Sequence, residues 1–152
     1  MRIQVDDPRR ADVLALLEEH LADMRATSPP ESIHALDPDA LAVPAISFWT
    51  LRDDGAVLGT AALKELSPTH GEIKSMRTAS GARRRGVAAR LLDHVLAEAV
   101  ARGYERLSLE TGSQDFFAPA RALYASRGFA PCGPFGEYVL DPNSVFMTVE
   151  LG

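Results

Sequence analysis

The sequence has a single cysteine, Cys132, a single tryptophan, Trp49, and no excess of positive charge over its 152 residues. One cysteine cannot close an intramolecular disulfide or build a zinc site by itself, so Cys132 reads as a small packing residue in a reducing compartment. Long apolar runs are missing too. No stretch approaches the roughly 20 residues that span a bilayer, and Met1-Arg2-Ile3-Gln4-Val5-Asp6-Asp7 lacks a signal peptide's apolar segment. A cytoplasmic protein with no membrane partner is expected. Sixteen basic residues against twenty-one acidic ones, a net charge of -5, argue against a nucleic-acid partner, whose phosphates call for a broad Lys/Arg excess. The four histidines show no metal-ligand spacing; no metal is expected, and His34 and His70 read as exposed loop residues rather than ligands. What remains, 46% hydrophobic and 24% charged residues, suffices for one sizeable core, hence one domain over 1–152.

Local patterns order the elements. Arg2-Ile3-Gln4-Val5 alternates as a strand, and Asp7-Pro8 opens a helix to about Ala26 with Val13, Leu14, Leu16, Leu17 and Leu21 on its apolar face. Pro29-Pro30 ends any helical continuation, and a short helical turn follows near Asp37 to Ala42. Ala45 to Leu51 and Ala56 to Leu66 form a hairpin through Arg52-Asp53-Asp54-Gly55, and Trp49 on the first of these reads as core or pocket wall. Glu72 to Thr78, a helix from about 84 to 102 and Arg106 to Glu110 make a β-α-β unit, with Arg102-Gly103 as the helix stop. A helix from about Ala118 to Arg127 and strands at Phe129 to Cys132 and Val145 to Leu151 complete the chain. The class is α+β, with a mixed, largely antiparallel twisted sheet of about seven strands flanked by helices.

The positive charge that exists is concentrated. Arg83-Arg84-Arg85-Gly86-Val87-Ala88 lies where a strand gives way to an amphipathic helix, whose first backbone N–H groups lack intrahelical partners and whose macrodipole is positive. Cations there oppose the macrodipole, so an anionic ligand gives them a reason to be present, and Gly86 and Ala88 let phosphate oxygens approach the backbone. A Walker loop is excluded by the missing Gly-Lys-Ser/Thr ending, and a dinucleotide fingerprint by the missing three-glycine pattern.

The pattern Arg83-x-x-Gly86-x-Ala88 after a strand resembles the acetyl-coenzyme A loop of the GCN5-related N-acetyltransferases (GNAT family). Ala120-Arg121-Ala122-Leu123-Tyr124, followed by Gly128-Phe129, is similar to that family's closing helix. The resemblance spans about Ile46 to Phe129. It implies a splayed central strand pair, the strands ending near Thr78 and Glu110, with acetyl-coenzyme A as cosubstrate entering the gap. Met76, Arg77 and Thr78 would contact pantetheine, and Arg83, Arg84, Arg85, Gly86, Val87 and Ala88 the pyrophosphate. The implied activity is acetyl transfer to a primary amine, on a small molecule or a protein, by direct attack; homodimers are common in the family.

Such chemistry needs a base for an amine that is protonated near neutral pH and an acid for the departing thiolate. The resemblance places the acid at Tyr124 and the base at Glu72, directly or through water, with Glu110 as the alternative base. Substrate-side residues are expected in the loops Ser28 to Leu36 and Glu137 to Asn143, with Ser32, His34, Glu110 and Tyr138 as candidates. Phe117 stands where many members carry an asparagine, leaving Ser113 or Gln114 to replace its hydrogen bond. The alternative function is a noncatalytic acyl-coenzyme A-binding or sensing domain.

Overall fold

The computed structural model describes residues 1–33 and 38–151. Seven strands, β1 (Arg2–Val5), β2 (Ile46–Asp53), β3 (Ala56–Ser67), β4 (His70–Thr78), β5 (Arg106–Gly112), β6 (Ala130–Cys132) and β7 (Ser144–Glu150), form one sheet in the order β1-β2-β3-β4-β5-β7-β6. Only β4 and β5 are parallel; the other neighbours are antiparallel. The parallel step needs a crossover, supplied by helix α3 (Val87–Ala101).

Period-two alternation divides the core between the faces. Ile46 and Phe48 of β2 pack with Val13 and Leu41, from helices α1 (Ala11–Thr27) and α2 (Pro38–Leu41). Trp49 and Leu51, one step out of phase, join Val87, Leu91, Leu92 and Val95 of α3 and Tyr124 of helix α4 (Ala118–Ser126) in the larger cluster. Trp49 is therefore core, its ring meeting the His94 imidazole edge-on at 5.1 Å.

Two helix starts differ from the sequence expectation. Pro8 lies outside α1, because the Asp7 carboxylate accepts the Arg9 amide at 2.9 Å and closes a turn that postpones the helix to Ala11. Helix α3 begins at Val87 rather than near 84, because Arg84 (φ 67°) and Gly86 (φ 75°) are left-handed and cannot belong to a right-handed helix. His70 is also not a loop residue. It opens β4, half-buried, with Nε2 2.7 Å from the Ser108 hydroxyl.

A buried ion group ties the first strand and helix to the sheet. Arg52 reaches Asp6 at 2.9 Å and Asp12 at 2.7 Å. Burial raises the Asp6 pKa, but hydrogen bonds from Thr50, the Asp7 amide and Arg52 outweigh it and hold the carboxyl at about 2.

Candidate active site

The site begins with a bulge. Between Thr60 and Ala62 of β3 the facing strand advances from Arg77 to Lys74, one residue more than its partner, and Ser75 within that step has φ 52°. The Thr60 hydroxyl donates to the Ser75 carbonyl at 2.7 Å and holds the distortion. A bulge bends its strand. Accordingly β4 pairs with β5 only from His70↔Arg106 to Ile73↔Leu109, whereas β5 continues along β7 to Gly112. The last residues of β4 thus part from β5, and the backbone groups facing the gap have no ladder partner there.

On one side of the gap is a groove of about 560 Å³, lined by Met76, Arg77 and Thr78 of β4, Arg83, Arg84, Gly86, Val87 and Ala88 at the α3 start, and Pro119, Ala120, Leu123 and Tyr124 of α4. The left-handed pair at Arg84 and Gly86 sets the α3 N-terminus against this groove. A Cβ added to Gly86 would meet nothing within 4 Å, so its positive φ, not crowding, calls for glycine. Arg83 is half-exposed over the Phe116 ring. Arg85 is directed elsewhere, pairing with Asp53 at 3.0 Å. Arg77 lines the groove, but its guanidinium is engaged by Glu19, at 2.8 Å, and by Asp23 of α1.

On the other side lies a smaller cavity of about 110 Å³ whose lining includes Ser32, Glu72, Lys74, Glu110, Tyr138 and Asn143. Glu72 is 3% exposed, and its Oε2 accepts the Tyr138 hydroxyl at 2.6 Å and Lys74 Nζ at 3.2 Å. Burial first, then the Glu72 charge, hold the Tyr138 phenol well above its usual range, which keeps it a donor. Ser32, also buried, donates to Asp141 at 2.6 Å and accepts from Asn143 at 3.3 Å, joining the segment after α1 to the loop before β7.

Groove and cavity meet. Among the described residues His20, Met76, Phe117, Ala120 and Tyr124 line both. Arg121 fixes the α4 end of this junction, donating to the carbonyls of Gly112 at 2.6 Å and Gln114 at 3.0 Å. The Tyr124 phenol is buried, and desolvation, then the Glu110 charge, push its pKa well above 10, so it is protonated at neutral pH. His20, on α1, has its pKa lowered to about 4 by burial and then by the Arg77 charge, leaving a neutral imidazole.

The fold therefore gathers Ser32, Glu72, Glu110 and Tyr138 in one cavity, and Met76, Arg77, Thr78, Arg83, Arg84, Gly86, Val87 and Ala88 along one groove. Arg85 stands outside the groove lining, and His34 lies outside the described residues. Phe117 walls the junction, whereas Ser113 and Gln114 bond the loop before β7, to Pro142 and Asn143, and line neither cavity. Sequence reasoning missed His20 and Lys74, and reached Asn143 only as the end of the loop Glu137 to Asn143. The helical period of α1 places His20 one turn beyond Leu16 and so carried a weak signal for His20; no local signal marks Lys74.

The match to known proteins agrees with this geometry. Residues 13–129 match the acetyltransferase (GNAT) family, and the chain belongs to that family, as an N-acetyltransferase. It is 54% identical, over 99% of its own length and all of the relative's, to YsnE of Bacillus subtilis (strain 168), described as an uncharacterized N-acetyltransferase. A solved Klebsiella pneumoniae structure assigned as an acyl-CoA N-acyltransferase superposes with TM-score 0.79 at 27% identity, covering 99% of this chain and 97% of that one. A GNAT acetyltransferase from Elizabethkingia anophelis, solved with acetyl-CoA bound, shares the fold at TM-score 0.69 and 17% identity over 99% of this chain and 97% of that one.

Proposed function

We propose that the enzyme transfers the acetyl group of acetyl-coenzyme A to a primary amine by direct attack, with Tyr124 as general acid. The observation carrying this reading is the meeting of a long groove and a small polar cavity at Tyr124, between strands that have parted. The unpaired backbone of β4 at Met76 and Thr78 suits the amide-bearing pantetheine arm, because buried amides without partners are costly. The α3 N-terminus, the Gly86, Val87 and Ala88 amides, Arg84 and Arg83 suit the pyrophosphate.

The cavity of about 110 Å³ is somewhat smaller than the ~150 Å³ cavity that holds one benzene, so it takes the slender end of an amine, on a small molecule or a protein. Glu72 and Glu110 favour the incoming ammonium, and Glu72, directly or through water, draws off the proton that blocks the nitrogen lone pair. Tyr124 keeps its proton until sulfur departs and then delivers it. The backbone N–H of Met76, beside the junction, is the candidate donor to the developing oxyanion. Primary amines offered with acetyl-coenzyme A should produce free thiol in proportion to acetylated amine. Thiol release without acetylated amine would refute the reading.

A further inference from the structure

An ammonium that ends as an amide loses two N–H protons, and the departing thiolate recovers only one. One must leave the site for solvent, and the other must be carried from nitrogen to the sulfur side. Glu72 lines the acceptor cavity but not the groove, which places it for the first proton, lost before attack. The second is lost from nitrogen already bonded to the tetrahedral carbon, at the junction. Of the five described residues lining both spaces, only His20 and Tyr124 titrate, and Tyr124 is the donor already proposed for the sulfur.

Resting on the acetyltransferase reading above, we propose that His20 is a further catalytic residue, whose imidazole takes the second proton from the tetrahedral intermediate's nitrogen.

The surroundings favour that role. Among the described residues no side chain hydrogen-bonds the imidazole, so a ring nitrogen is available to a ligand. The charged and titratable groups that face it are Arg77 from β4, Glu19 and Asp23 from its own helix, and Tyr124 from α4. Burial and Arg77 disfavour the imidazolium more strongly than Asp23 and Glu19 favour it, so the ring is neutral when the amine arrives. Bonded to a carbon that carries oxygen and sulfur, this nitrogen is more acidic than the parent alkylammonium, and onward transfer to the Tyr124 phenolate draws its proton through the imidazole.

The step balances. The amine lone pair forms the C–N bond, the C–S bond breaks with its electron pair on sulfur, the Tyr124 hydroxyl proton goes to sulfur, and the N–H proton goes to His20. The imidazolium returns its proton to the Tyr124 phenolate across the shared wall. The proton taken by Glu72 leaves to solvent.

The test uses His20→Gln, which keeps a polar side chain but accepts no proton near neutral pH, and His20→Ala with added imidazole. Turnover of the best amine should fall at least about 100-fold in both, with coenzyme A affinity and Tm unchanged, and imidazole should restore His20→Ala in a dose-dependent way. A packing role would not give imidazole rescue. Parent-like turnover by His20→Gln overturns the proposal and leaves the acetyltransferase reading standing, as does a loss that imidazole fails to rescue. A parent that binds acetyl-coenzyme A and acetylates no amine overturns both.

Discussion

Replacing Tyr124 by phenylalanine removes one oxygen from the junction of groove and cavity while keeping the ring against Phe129, whose centroid lies 5.8 Å away. The phenol is 6% exposed and, with its pKa held high by burial and Glu110, fully protonated near neutral pH. In the proposed reaction it therefore serves as a donor, with no role for a resting anion. Losing a positioned general acid costs roughly 10²- to 10⁴-fold, or about 2.7–5.4 kcal/mol of barrier at 1.36 kcal/mol per decade. The ring's packing is preserved, so Tm and coenzyme A affinity should not move. The assay pairs calorimetric coenzyme A titration with initial rates of thiol release at saturating amine. Unchanged turnover in a variant that binds coenzyme A normally would refute the acid assignment. A loss below tenfold would transfer the donor role to water.

Arg84→Glu should weaken coenzyme A binding by about tenfold or more, since it sets like charge against the pyrophosphate, while Arg85→Glu, whose side chain serves Asp53, should weaken it less; calorimetry that ranks them in the opposite order contradicts the groove geometry. Gly86→Ala should cost roughly 1 kcal/mol of stability from its φ of 75° and also reduce coenzyme A affinity, measured by thermal melting and titration. Asp6 has a folded pKa of about 2 against an ordinary 3.8, so it contributes about 2 kcal/mol at neutral pH, lost as pH falls from about 4 through 2. Denaturant melts of Asp6→Asn should accordingly show a deficit at pH 7 that shrinks in acid, and a deficit constant with pH would count against that origin.

The turn from β4 into α3 was legible because its information is local: a strand end, a glycine at fixed spacing and the start of an apolar helical stripe fall within one short segment. Strand alternation was equally local, and the sheet followed. The start of α3 was not legible, because Arg84 in a left-handed conformation has no compositional mark, unlike Gly86. The smaller cavity was legible only as scattered candidates. Glu72 and Tyr138 are far apart in sequence, and their 2.6 Å hydrogen bond arises when the loop before β7 folds over β4. His20 looked like any polar residue on an amphipathic helix until α1 packed across the splay.

That groove and cavity form one acetyl-transfer centre can be decided by incubating the protein with acetyl-coenzyme A and a panel of primary amines, from amino acids and polyamines to lysine peptides, and following free thiol and acetylated product together. Equal amounts of thiol and N-acetyl product are expected for at least one amine, and neither when the amine is omitted. Tight binding of acetyl-coenzyme A with no acetylated product from any amine would contradict it.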